Sequence, residues 1–173
     1  MKKVCQLILL LSCCLHVNAQ TNNDSLRKVI QTNRPYEQQI NASIKLVESY
    51  LNKDFDSTII EGDKALKLAR KHTDSISVAE IKSQIGVANY FTGKYDIAAR
   101  NFIESITILE LAKEKKKLAP VYNSLAKLYR KTRDLDKAME NYNKAGNIYQ
   151  QLKDTAGIAM ILNESGVVFE YKD

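Results

Sequence analysis

The chain has 173 residues, 45% hydrophobic and 27% charged, with 26 Lys and Arg against 20 Asp and Glu for a formal net charge of +6. That length suits one domain, and a modest positive charge spread along the chain is no nucleic-acid footprint. All the cysteines, Cys5, Cys13 and Cys14, lie near the N-terminus, so the rest of the chain must be held by packing without disulfides.

Lys2 and Lys3 precede an apolar run from Leu7 to Leu15 that ends in Val17-Asn18-Ala19. This pattern predicts a secretory signal peptide over 1–19, with Gln20 as the new N-terminus. The run is too short for a spanning helix, which needs roughly 20 residues. The alternative is a lipoprotein signal using Cys13 or Cys14, although Leu11-Ser12-Cys13 lacks the usual small residue two before the cysteine. Cleavage would remove every cysteine together with His16, Lys2 and Lys3, lower the net charge to +4, and place the mature chain in the periplasm or cell envelope. No later segment is apolar enough to be transmembrane.

Residues 20–34 read as a flexible lead or a partial cap helix, polar at Thr21 to Ser25 and amphipathic from Leu26 to Ile30. Pro35 then opens a helix, where proline is best tolerated. From there, apolar residues at steps of three and four predict helices over 36–51, 55–71, 76–91, 95–113, 117–131, 135–152 and 156–171. Tyr95, Ala98, Ala99, Phe102, Ile106 and Leu109 form one such stripe, and Leu135, Ala138, Met139, Tyr142, Ala145, Ile148 and Tyr149 repeat it 40 residues on. Asp56, Asp96 and Asp136 keep the same period, as do Gly86, Ala126 and Gly166. Between helices, Asn52-Lys53-Asp54, Thr92-Gly93-Lys94 and Thr132-Arg133-Asp134 read as tight turns, and Asp74-Ser75 and Asp154-Thr155 as helix caps. Lys113 to Lys117 departs from that pattern and reads as a solvated helix end. A fixed period of this length is the mark of a helical solenoid. The repeats fall near 36–74, 75–114 and 115–154, with an incomplete one at 155–173.

These residues resemble the tetratricopeptide repeat (TPR). That pattern pairs a large apolar residue with Gly or Ala on the first helix, then an aromatic, then Ala, an aromatic and Ala on the second. Leu125-Ala126, Tyr129, Leu135, Ala138, Tyr142 and Ala145 match it almost completely, and Ile85-Gly86, Tyr95, Ala98 and Phe102 match with Ser105 in place of the last Ala. The copy near 36–71 is weaker: Leu46 replaces the small residue and Gly62 the aromatic, which suggests a looser end unit. The resemblance implies an all-α, right-handed superhelical solenoid of antiparallel helix pairs, about three and a half repeats over 35–173. It also implies a part in signal transduction, because bacterial chains of this exported type often form the N-terminal sensory part of histidine kinases or helix-turn-helix regulators.

The first helix of each pair lines the concave side of such a solenoid. Ser43, Ser83, Asn123 and Asn163 recur there and are candidates for hydrogen-bonding the backbone of an extended peptide. Val47, Val87, Lys127 and Val167 stand one turn on, where relatives that grip a terminal carboxylate use Asn, so that ligand class is excluded. Tyr90 and Phe91 close one first helix and Arg130 and Lys131 the next, and an aromatic beside basic groups suits an acidic or aromatic peptide. Tyr90, Lys127 and Arg130 therefore complete the candidate peptide-binding set. Catalysis, cofactors and metals are not expected: after signal removal one histidine remains, His72, with no thiol and no glycine-rich phosphate loop. The sequence thus reads as an exported, non-catalytic scaffold for protein binding, the sensory portion of a signalling protein being one form of it. The alternative is an assembly protein that self-associates through helix 156–171, which would expose Ile158, Ile161, Leu162, Val167 and Phe169.

Overall fold

The computed structural model describes residues 22–170. The signal at 1–19 with its three cysteines, Thr21, and the chain end from Tyr171 lie outside the described residues, as does the side chain of Phe169. The elements are α1 (22–31), α2 (Tyr36–Tyr50), α3 (Phe55–Lys71), α4 (Ser75–Phe91), α5 (Tyr95–Ala112), α6 (Lys115–Lys131), α7 (Leu135–Leu152) and α8 (Thr155–Glu170), with no strand among the described residues. Every predicted helix end among the described residues falls within two positions of the observed one.

The backbone repeats twice as often as the sequence does. Thr73, Gly93, Lys113, Arg133 and Lys153 have φ between 55° and 76° and close five successive helices at 20-residue intervals. Glycine enters that left-handed region without steric cost, yet only Gly93 is one. The amide after each residue returns to the carbonyl five positions earlier: Asp74 to Ala69, Lys94 to Asn89, Glu114 to Leu109, Asp134 to Tyr129 and Asp154 to Tyr149, at 2.9–3.0 Å. This bond satisfies a carbonyl left over by the helix end. The same residue opens the next helix: the carboxylates of Asp74, Asp134 and Asp154 accept from the amides of Ser77, Lys137 and Gly157. The 40-residue repeat is therefore two helix–turn–cap units. Lys113 and Glu114 follow this backbone pattern, while their departure from the capping chemistry of Asp74 and Asp154 is as expected. What they lack is the side-chain cap.

Each helix packs on the next, and α2 touches α4 while α4 touches α6. First helices are thus neighbours along one side. Two apolar clusters meet at α4: Ile81 and Ile85 join α2 and α3, while Ala79 joins Phe102, Leu125 and Tyr142 of the later helices. Tyr36 Oη donates to Asp74 Oδ2 at 2.7 Å, tying α2 to the cap of α4. At the other end of α2, α1 is anchored by Arg27 Nη2, which donates to Tyr50 Oη at 2.7 Å.

Small residues mark the close approaches. A Cβ on Gly86 would stand 2.7 Å from Phe102 Cε1, and one on Gly157 would run into the ring of Tyr149. At the matching phases of the first pair the sizes change places: Leu46, 1% exposed, is on the first helix and Gly62 on the second. Gly62 is no loose unit, because its missing side chain admits Ile85 Cγ1 to 2.7 Å of where a Cβ would lie. Gly166 has nothing within 4 Å. Gly62→Ala is therefore expected to cost about 1–3 kcal/mol through overpacking, while Gly166→Ala gains about 0.5–1 kcal/mol of helix propensity. Opposite shifts in urea midpoint check the pair, and equal shifts would break the assignment of Gly62 to a helix seam.

Candidate functional site

One end of the row of first helices gathers cations. Lys127, Arg130 and Lys131 on α6, Arg133 in the turn beyond it, and Tyr90 on α4 line an open cleft of about 310 Å³. Arg130 and Lys131 lie in the last turn of α6, where cations offset the negative helix end. Lys127 and Arg130 also face α8: Lys127 Nζ lies 2.8 Å from Glu164 Oε1 and Arg130 Nη2 2.9 Å from Glu164 Oε2. Lys131 has no ion-pair partner among the described residues. Glu164 thus divides one carboxylate between two cations, and with Lys131 beside them the cleft keeps a positive surplus.

Behind this cleft, Tyr142 is fully buried and its hydroxyl has no hydrogen-bond partner. Burial pushes that phenol up to about 12, against the pull of nearby Arg130 in the other direction. The hydroxyl therefore stays protonated and neutral at physiological pH. Beside the cleft, Tyr90 meets Phe91 edge-on at 5.2 Å and Phe91 stacks on Phe55 at 5.1 Å. Phe91 remains 57% exposed, so an apolar step borders the basic cleft. Together these groups can hold an anionic group and shelter an adjoining apolar one.

Tyr90, Lys127 and Arg130, expected as binding residues, are brought together here. The Ser and Asn column is not brought with them as an open row. Ser43 is buried and donates its hydroxyl to the Gln39 carbonyl at 2.8 Å, so it is withdrawn from the face. Asn123, expected to hydrogen-bond a peptide backbone, is 6% exposed, with Nδ2 3.7 Å from Met160 Sδ and no partner for Oδ1. Ser83 is half-buried in a separate cleft, and Asn163 stands exposed on α8. On α8, Ile161 and Val168 are buried and Ile158 packs on the core, while Leu162 at 67% and Met160 at 37% are the large apolar side chains exposed among those described. Sequence reasoning missed Arg133, Glu164 and Tyr142. The signal for Glu164 was its spacing: Lys127 and Arg130 precede it by 37 and 34 positions, less than the 40 of the repeat.

Among the described residues, no group of three or more His, Cys, Asp or Glu side chains could hold a metal, and no helix is long and apolar enough to cross a membrane. Antiparallel helix pairs stacked in register, first helix on first helix, define a helical-repeat solenoid, a fold that serves as a scaffold for protein interaction and is typically non-catalytic.

The tetratricopeptide-repeat family model matches residues 77–151, and those residues are similar to that family. No curated protein matches the sequence. Among solved structures, BtubC from P. vanneervenii is 19% identical with a TM-score of 0.74, the match covering 86% of this chain and 63% of that one. The apo form of RapI is 16% identical with a TM-score of 0.78, covering 87% of this chain and 55% of that one. The TPR domain of Arabidopsis FLU is 23% identical with a TM-score of 0.61, covering 69% of this chain and all of that domain. The chain therefore spans less than two thirds of the first two, and at these identities the likeness is one of fold.

Proposed function

We propose that this protein is an exported, non-catalytic repeat scaffold that binds an acidic segment of a protein or peptide on its concave side. The observation that carries the reading is the cleft in which Lys127, Arg130 and Lys131 gather beside Tyr90, with Glu164 shared between the first two. Cations held on two adjoining elements form a preset anion site, and the exposed Phe91 beside it favours a segment with an apolar residue near its acid. Export rests on the 1–19 pattern, and service as the sensory part of an envelope signalling protein accords with it. Fluorescence anisotropy with labelled hexaglutamate and hexalysine tests the binding. Hexaglutamate should bind and weaken as salt rises, and equal binding of the two peptides would end the proposal. Cell fractionation with an antibody to the chain tests export, and a wholly cytosolic signal would remove it.

A second reading is self-association through α8. Leu162 and Met160 are exposed and the Gly166 surface is open, whereas Gly86 at the same phase is filled by Phe102. A second copy laid on that surface would give a dimer in sedimentation at micromolar concentration, and a clean monomer would remove this reading.

A further inference from the structure

One face of α8 repeats, uncovered, a surface that is covered twice elsewhere in the molecule. In the pairs α4–α5 and α6–α7 the first helix is buried at three recurring phases: Ala79 and Ala119, Lys82 and Tyr122, Gly86 and Ala126. The second helix of each pair does the covering. Lys82 Nζ lies 2.5 Å from Glu104 Oε2 on α5, and Lys144 Nζ of α7 stands 5.5 Å from the centroid of the Tyr122 ring. Phe102 of α5 fills the space over Gly86. On α8 the same phases are Ala159, Leu162 and Gly166, and all three are exposed.

Two observations say what fits this face. The first is charge. From Thr155 to Val168 the sole charged residue is Glu164, and it turns to Lys127 and Arg130 of α6. At ~3.6 residues per turn Glu164 stands roughly opposite Leu162 and Gly166, so the open face carries no charge. The exposed side of α7, by contrast, carries Asp136, Lys137, Glu140 and Lys144. Charged residues are depleted from the cores of protein interfaces, and this face has that composition. The second is shape. Leu162 and Gly166 stand about one turn apart on one face, a large side chain beside an open space. When two such helices lie antiparallel about a two-fold axis level with Glu164, Leu162 of each falls over Gly166 of the other. The face is thus complementary to its own copy, and it repeats between copies the fit that Phe102 and Gly86 make within one.

We propose that two copies of this protein pair α8 against α8 in that antiparallel arrangement, with Leu162 and Gly166 as the reciprocal contacts. The proposal rests on the self-association reading and adds the symmetry and the residues that set it. A contact of this kind closes on itself, so assembly stops at the dimer. One helix against one helix buries little area, which sets dissociation in the micromolar range. Glu164 and the basic cleft lie on the opposite side of α8 and stay open in the pair.

Sedimentation of the full chain across micromolar concentrations should give a monomer–dimer equilibrium with no larger species. Leu162→Ala removes the knob and Gly166→Leu fills the hole, so each should weaken the dimer by about tenfold or more. Gly166→Leu also replaces a helical glycine, so its helical melt should be no lower than the parent's, and a lost dimer then reports the contact alone. Combining the two changes exchanges knob and hole. The Leu162→Ala/Gly166→Leu protein should therefore return to within about threefold of the parent's dissociation constant. A monomeric parent would overturn this pairing together with self-association. A dimer that neither single change weakens would overturn the pairing and leave self-association standing through other parts of the surface. Single changes that weaken the dimer without recovery in the combination, or assembly beyond the dimer, would overturn the two-fold arrangement.

Discussion

Replacing Phe102 with alanine is expected to cost about 3–5 kcal/mol, a large part of the ~5–15 kcal/mol that holds a domain of this size together. Phe102 is 1% exposed and fills the space over Gly86, so at this level of the α4–α5 seam one ring does the filling and no second side chain shares the loss. Truncation leaves a cavity whose floor is glycine backbone, and α4 is held on its other side by Ile81 and Ile85 against the first pair. Collapse into the void is thereby restrained. The first pair suggests how the loss can be recovered: at the same phases it carries Leu46 on the first helix and Gly62 on the second. Gly86→Leu alone should clash with the Phe102 ring, and combined with Phe102→Ala it should return part of the lost stability. Urea unfolding followed by helical circular dichroism completes the double-mutant cycle. A Phe102→Ala protein within 1 kcal/mol of the parent, or strictly additive variants, would show that this ring does not set the helix seam.

That exchange also shows which features the sequence displayed and which it hid. Helix positions were legible because apolar steps of three and four recur under a 40-residue period, and the stripe Tyr95 to Leu109 is copied at Leu135 to Tyr149. Gly62 was misread because volume was assigned helix by helix. The space over Gly62 is taken by Ile85 of α4, a side chain from the next pair rather than from its own. The turns hid their regularity for another reason: a left-handed backbone is available to Lys113, Arg133 and Lys153 as well as to Gly93, so the 20-residue backbone period has no single residue as its signature. The site was half legible. Tyr90, Lys127 and Arg130 sit at the ends of first helices and stood out as aromatic and basic. Neighbouring first helices, however, touch with a stagger. Lys117 meets Glu80 37 positions back, Gln84 meets Glu48 36 back, and Glu164 meets Lys127 37 back. Aligning phases at 40 therefore placed Ser43, Ser83, Asn123 and Asn163 in one column, whereas packing buries Ser43 and Asn123 and leaves Asn163 exposed.

Neutralising Lys127 and Arg130 together to glutamine should weaken hexaglutamate binding by about 100-fold, equivalent to ~2.7 kcal/mol. The same two side chains hold Glu164, whose carboxylate has 18% of its side chain exposed, and this gives the prediction a control of opposite sign. If the cleft is a binding site, Glu164 is an internal competitor for its cations, and Glu164→Gln should tighten hexaglutamate by about three- to tenfold. Its stability cost should be small, about 1 kcal/mol or less, as for other solvent-touched ion pairs. If instead Lys127 and Arg130 serve only to pin α8 and to offset the helix end, removing either side of the pair acts alike. The Lys127→Gln/Arg130→Gln and Glu164→Gln proteins would then both lose stability, and neither would change peptide affinity. Salt adds a further discriminator: screening weakens interactions between exposed charges most, so the parent should lose hexaglutamate affinity between 50 and 200 mM salt more steeply than the double-glutamine protein. Opposed changes in affinity for the two variants, with a shallower salt dependence in the one lacking cations, identify a site that recognises anions. Parallel losses of stability with flat affinity would assign these residues to the architecture and remove the acidic-segment proposal.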